Sequence, residues 1–308
     1  MGIQHLVTLL DWEPAQISEV LSLAHRTKAE VRHGRTYRVL EGKTLALLFE
    51  KPSMRTRVSF QVAMAQLGGQ SVYLSRDDVG LGRREPVKDG ARVLSRYVSA
   101  VAARVYKHSS VEELAAYSTV PVINALSDRS HPCQALADMM TIEEKFPSAR
   151  GIWVAYIGDA NNVAWSLGII CGKLGISYTV ASPPGYQFDD ESLGTLRQLA
   201  AASGASFTAT DSAREAAEGS QVLYTDTWVS MGQEEEAEQR RRDLADYCVD
   251  AELLDMATDD AIVMHCLPAY RGREITDEVI EGPQSVVFEQ AENRLHVQRA
   301  LLQRLIAH

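Results

Sequence analysis

Leu45-Ala46-Leu47-Leu48-Phe49-Glu50-Lys51-Pro52-Ser53-Met54-Arg55-Thr56-Arg57 takes the chain from an apolar run into a polar, cationic one, and its reading decides the fold. Leu45 to Phe49 has the character of a buried strand. A helical pattern follows, with Val58, Val62 and Ala65, together with Phe60, Met64 and Leu67, recurring every three to four residues, and Gly68-Gly69 supplies the stop. Ser53 stands where an N-cap belongs. Free N–H groups and the helix dipole favour an anion at such a junction, and the neighbouring hydroxyls and guanidiniums add donors. A phosphate fits there; the plainer alternative is an ordinary capped helix with solvated arginines.

Outward from this point the same theme repeats. Short apolar runs near 44–49, 71–74, 100–105 and 120–125 alternate with helical patterns, and a helix is expected from Pro132 to about Glu144. Lys145 to Gly151 breaks the pattern. Beyond it, runs near 152–157, 177–182, 205–209, 221–225, 261–265 and 285–288 read as further strands. The expected fold is α/β, with two similar-sized domains, each a mainly parallel sheet flanked by helices, and a site in the cleft between them. A first domain over 1–146 is followed by a second over 147–291, and an apolar-patterned helix over 292–308 is expected to pack back on the first. The charged stretch Glu234 to Asp246 reads as a solvated helix, or equally as a flap beside the site.

Composition narrows the functions. The 308 residues suit about two domains of ~150 each, and no apolar run is long enough to cross a bilayer. The N-terminus Met1-Gly2-Ile3-Gln4-His5 lacks the basic region of a secretory signal, so a cytoplasmic location is expected. A net charge of −10 argues against nucleic acid, because a polyanion needs a basic face that releases counterions. Cys133, Cys171, Cys248 and Cys266 lack paired metal-type spacing, so neither a zinc site nor a disulfide framework is expected.

Ligands of parallel α/β sheets bind beyond the carboxyl ends of the strands, and the polar motifs fall there. Arg104 ends the run Ala100 to Ala103; it is either exposed or a bidentate grip on phosphate and carbonyl oxygens. His131-Pro132-Cys133-Gln134 opens a helix with proline in its first turn, offering an imidazole N–H and a primary amide, though His131 reads equally as a capping residue. Ile157-Gly158-Asp159-Ala160-Asn161-Asn162 lacks the later glycines of a dinucleotide fingerprint, which counts against NAD. Its asparagines are neutral donors suited to a small carboxylate, or a plain turn. Tyr224 to Gly232 places Asp226, able to hold an ammonium, four residues before Ser230, and Ala261 to Met264 runs into His265-Cys266-Leu267-Pro268. Cys266 alone reads more readily as an inert small residue.

Ser53 to Arg57, His131 to Gln134, Asp226 to Gly232 and His265 to Pro268 together resemble the ornithine carbamoyltransferases. The resemblance covers nearly the whole chain and includes Leu67-Gly68-Gly69, Ala91 to Tyr97 and Gln290 to His296. It implies substrates carbamoyl phosphate and L-ornithine, no cofactor, no metal, and a homotrimer or an assembly of trimers. Ser53, Met54 through its backbone, Arg55 and Thr56 would hold the phosphate, with Arg294 adding to the anion site. Arg104, His131, Gln134 and the Cys266 and Leu267 carbonyls would hold the carbamoyl end. Asn162, Asp226, Ser230, Met231 and Cys266 would hold ornithine. Arg104, His131 and Cys266 carry the implied catalysis.

The chain departs from the family pattern at Met54, usually threonine, at Tyr270, often histidine, and at Glu289, usually aspartate. Gly80 lies where many relatives have a glutamine that reaches a neighbouring subunit, which puts that contact in question, although Arg83 or Arg84 in the same loop could supply it. A relative acting on putrescine or an N-acylated ornithine is the alternative within the family. Putrescine lacks the groups that Asp226 and Asn162 would hold, and an acylated ornithine lacks the cationic α-amine. A non-catalytic binding protein of the same fold would have lost polar groups at several strand ends, whereas here all are kept.

Overall fold

The computed structural model describes residues 4–35, 37–79, 85–229 and 234–307. Two compact units emerge: residues up to Met140 together with those from Glu292 onward, and Thr141 to Ala291. The helices Pro132–Lys145 and Val287–Ile306 each run through a division, so neither boundary is a loop.

In the first unit four parallel strands, β1 (Thr44–Phe49), β2 (Gln70–Ser75), β3 (Ala100–Arg104) and β4 (Val122–Leu126), lie in the order β2-β1-β3-β4. The two central strands are buried almost throughout, as continuous apolar runs covered by helices on both faces should be. Ala46, Leu48, Val101, Ala103 and Val122 share one core with Val87, Val111 and Leu114 of the neighbouring helices. Leu6 bridges to Ile123 along the β4 edge, with Leu6 N–H donating to Val122 O at 2.8 Å.

The second unit holds β5 (Trp153–Ile157), β6 (Ser177–Ala181), β7 (Phe207–Thr210), β8 (Val222–Thr225) and β9 (Ile262–His265), all parallel, in the order β7-β6-β5-β8-β9. The sequence reading of two parallel α/β sheets thus holds, and three local features go beyond it or differ from it.

Residues 285–288 form no strand. Ser285 makes only an isolated bridge to Val263, and the terminal helix already begins at Val287, five residues before its expected start. On the helix Met54–Gln66, Thr56, Phe60, Ala63 and Met64 face the core, while Val58 and Val62 are 51% and 37% exposed. Both stripes satisfy a 3.6-residue period, so periodicity cannot say which turns inward. Gly68 does end that helix region at φ +81, and a Cβ on Gly69 would sit 2.5 Å from Met64 Cε.

The third concerns 234–246, which is anchored rather than merely solvated. Arg240, in the helix Ala237–Asp243, is buried; its Nη1 donates to Asp159 Oδ2 at 2.8 Å and to Trp228 O at 3.2 Å, and its Nε to Glu236 at 3.0 Å. Burial raises the Asp159 carboxyl, and the guanidinium beside it opposes that rise. Arg240→Met should therefore destabilise the protein by roughly 3 kcal/mol, since it strands a buried carboxylate. A thermal melt within a degree or so of wild type would show the ion pair to be incidental.

Candidate active site

Because β1, β3 and β4 run parallel, their carboxyl ends lie along one edge of the sheet, and the polar motifs of the first unit follow those ends. After β1, Ser53 caps the helix Met54–Gln66: its Oγ accepts from Thr56 N–H at 3.3 Å and donates to Thr56 Oγ1 at 3.1 Å. Arg104 closes β3 opposite Phe49 and is buried, not exposed. After β4 a tight turn carries the chain into the helix Pro132–Lys145, with Ser127 N–H donating to Ser130 O at 3.0 Å and the Asn124 amide donating to Ser127 Oγ at 3.2 Å. His131 is 4% exposed, and its carbonyl accepts from the Gln134 and Ala135 N–H groups.

Arg294 ties these pieces together. Its Nη1 donates to Gln134 Oε1 at 2.6 Å and its Nη2 to Thr56 Oγ1 at 3.1 Å, all three side chains being buried. Because arginine only donates, the Gln134 oxygen must face it, which turns the amide nitrogen to Asp138 Oδ1 at 2.8 Å. Asp138 was not singled out in the sequence. Its one signal is the four-residue spacing from Gln134, which puts both on one helix face. Met54 is 72% exposed and Arg55 half-buried in the first turn, so the methionine departure leaves the cap intact.

Burial, reinforced by the Arg294 and Arg104 guanidiniums, holds the His131 imidazole well below the usual 6.5. It is neutral near pH 7, a donor or acceptor that adds no charge to an already cationic cradle. Above about pH 6.5 the group is neutral folded and unfolded alike. As pH falls below that, only the unfolded chain takes up the proton, so stability drops by up to ~1.4 kcal/mol per unit until the folded pKa is reached. Burial lowers His5, His108 and His296 as well. His131→Gln should thus make melting temperature less steep against pH below about 6.5 without flattening it; an unchanged slope would show that His131 titrates normally. Cys133 is no nucleophile: burial pushes its thiol up to about 12, and it donates to Asn124 O at 3.5 Å.

In the second unit Asp226 follows β8, and both its oxygens accept: Oδ2 from Asn161 Nδ2 at 2.9 Å, and Oδ1 from the Cys266 thiol at 3.1 Å. Asn161 also caps the helix Asn162–Leu174, accepting from Val163 and Ala164 N–H. The asparagine that meets Asp226 is thus Asn161, whereas Asn162, the implied ligand, begins the helix. Ser230, Met231, Gly80, Arg83 and Arg84 lie outside the described residues. Donor atoms of Asp226, His265 and Cys266 lie within 4.8 Å of one another, a grouping that cysteine spacing did not foretell. Both His265 nitrogens are already engaged, Nδ1 by Leu267 N–H and Nε2 by Glu274.

Fold and clusters define an α/β protein of two parallel-sheet units, one with a cationic, donor-rich cradle at its strand ends and the other with a carboxylate set among neutral donors. The comparisons agree. Residues 4–144 match the model of the aspartate/ornithine carbamoyltransferase carbamoyl-P binding domain, and residues 150–305 that of the Asp/Orn binding domain. Ornithine carbamoyltransferase of Pyrococcus abyssi is 52% identical over 98% of this chain and 95% of its own, and the anabolic ornithine carbamoyltransferase of Pyrococcus furiosus 53% identical over 96% and 94%. The solved Pyrococcus furiosus structure superposes with a TM-score of 0.97 at 51% identity, covering 99% and 97% of the two chains. The anabolic enzyme of Campylobacter jejuni gives 0.93 at 40%, covering 98% and 99%. This chain belongs to the aspartate/ornithine carbamoyltransferase family.

Proposed function

We propose that the protein transfers the carbamoyl group of carbamoyl phosphate to the side-chain amine of L-ornithine, giving L-citrulline and phosphate. The buried Arg294 guanidinium, bonded at once to Thr56 of the capped helix and to Gln134, carries the first half of this reading. The phosphate lies on Ser53, the Met54 N–H, Arg55, Thr56 and Arg294. The carbamoyl oxygen takes donors from Arg104, neutral His131 and Thr56, while Gln134 and the Cys266 and Leu267 carbonyls take the carbamoyl NH2. Asp226, with Asn162, Ser230 and Met231, holds the amino-acid end of ornithine, and Cys266 lies by its side-chain amine. The residues to about 146, with the helix from 292, then form the carbamoyl phosphate domain, and 147–291 the ornithine domain.

The side-chain amine attacks as its free base, although an alkylammonium ordinarily loses its proton near pH ~10.4. Attack on the carbamoyl carbon gives a tetrahedral oxyanion, and each fixed donor to it is typically worth ~3 kcal/mol of barrier. The C–O bond to phosphate then breaks, and the departing phosphate takes the amine's proton. This chemistry calls for no redox step and no cofactor.

The anabolic names of two relatives favour the arginine-making direction. A homotrimer, or an assembly of trimers, is what the family resemblance implies, and the exposed apolar stripe Met54, Val58, Val62 with Val72, 48% exposed on the edge strand β2, supports self-association. A cytoplasmic location accords with the finding that no helix among the described residues is long and apolar enough to cross a membrane. The test is citrulline formation by the purified protein from carbamoyl phosphate, with L-ornithine and putrescine in parallel reactions. Turnover with ornithine alone is expected; a preference for putrescine, or no product, would overturn the assignment of the second unit.

A further inference from the structure

We infer that His265 and Glu274 form a buried clamp that sets the backbone of Cys266 and Leu267, and that both are positioning residues for the transfer. The transfer part rests on the function proposed above; the clamp itself does not. His265 is the last residue of β9, and both side chains are essentially inaccessible to solvent. Leu267 N–H donates to His265 Nδ1 at 2.9 Å, so that nitrogen carries no proton. The ring proton therefore sits on Nε2, which lies 3.3 Å from Glu274 Oε1. The same oxygen accepts from Tyr270 N–H. One His–Glu pair thus reads backbone donors at both ends of the loop that leaves β9.

The loop's far end and its foundation are held as well. Gly272 N–H donates to Ile275 O and Val249 N–H to Glu274 O, which fix the turn that carries Glu274. His265 N–H donates to Gln290 Oε1 at 2.9 Å, and the Gln290 amide donates to Tyr224 OH at 3.1 Å, both glutamine bonds being buried. His265 is therefore immobilised through its backbone and through both ring nitrogens.

Two features show that the clamp holds something the chain would not adopt unaided. Leu267 has φ +56, and among the described residues it is the non-glycine with a left-handed backbone. A branched side chain disfavours that region, and φ at Leu267 sets the angle between the peptides on its two sides. Glu274 Oε2 is buried with no hydrogen-bond partner among the described residues. A purely structural contact of this kind is replaceable by apolar side chains, because burying a carboxyl with one oxygen unmet costs stability. What the pair supplies is direction. The displayed segment includes Cys266, whose thiol meets Asp226, so its geometry bears on the amine pocket as well.

Two amide substitutions separate the two links. In His265→Asn the short amide places its oxygen where Nδ1 stood, keeping an acceptor for Leu267 N–H and losing Glu274. His265→Gln reaches Glu274 and leaves Leu267 N–H unmet. The first measurement is alkylation of Cys266 by iodoacetamide, followed by peptide mapping, which needs no turnover. His265→Gln should accelerate it at least ~10-fold, whereas His265→Asn should stay within about threefold of wild type. The second is steady-state kinetics: His265→Gln should lose roughly 100-fold in kcat with little change in the carbamoyl phosphate KM, His265→Asn about tenfold because the Glu274 link is gone, and Glu274→Gln, whose amide oxygen still accepts from Nε2–H and Tyr270 N–H, should retain most activity. Unchanged Cys266 reactivity in His265→Gln would overturn the clamp. Altered reactivity with wild-type kcat would confine the pair to a structural role. Altered reactivity in a protein whose wild type makes no citrulline would leave the clamp standing and remove the proposed reaction.

Discussion

Arg294→Met should lower kcat/KM for carbamoyl phosphate by about 10³-fold while leaving the protein folded. Methionine approximates the buried volume but donates to nothing, so Thr56 and Gln134 lose the cation that joins them. A charge-assisted hydrogen bond to phosphate, typically worth 1.5–3 kcal/mol, and the lost attraction for a doubly charged anion bring the total near ~4 kcal/mol, or a thousandfold. Thr56 keeps its Ser53 contact and Gln134 its Asp138 contact, so neither is left without a partner. The loss should fall on carbamoyl phosphate binding and on kcat together, with the ornithine KM nearly unchanged. A loss of less than about tenfold would remove Arg294 from the anion site.

Asp226→Ala should act on the other substrate. Both oxygens of Asp226 are held by donors within the second unit, so the side chain is fixed in place before any ligand arrives. Removing one partner of a buried, hydrogen-bonded charge pair typically costs 2–5 kcal/mol, so the ornithine KM should rise roughly 100-fold or more. The carbamoyl phosphate KM should move less than about threefold. Equal effects on both constants, measured by varying each substrate at saturation of the other, would mean that Asp226 does not hold the α-amine. Asn161→Ala offers a graded companion, since it frees Oδ2 without removing the charge.

Features written in neighbouring residues were legible without coordinates. The run Leu45 to Phe49 is too uniformly apolar for a half-exposed strand, and Ser53 three residues before Thr56 is a local capping pattern; both took their expected form. Alternation of apolar runs with helical patterns sufficed for two parallel sheets, because that connectivity leaves few alternatives. Pattern was silent where two answers share one period, as with Val58 and Val62, and misled where an apolar run too short to decide, 285–288, turned out to lead into a helix.

What the sequence by itself determined is therefore the class of fold and the strand ends at which polar groups collect. Which of those groups meet was settled only by the tertiary structure. Arg294 reaches Thr56 across 238 residues of chain and Gln134 across 160, and Cys266 reaches Asp226 across 40. The choice of Asn161 over Asn162 as the partner of Asp226, and the pairing of His265 with Glu274, are likewise contacts between side chains. Local pattern reflects backbone sterics and solvent, which act over a turn or two of chain. Side-chain partners are chosen by packing, which brings distant segments together only once the sheets have formed.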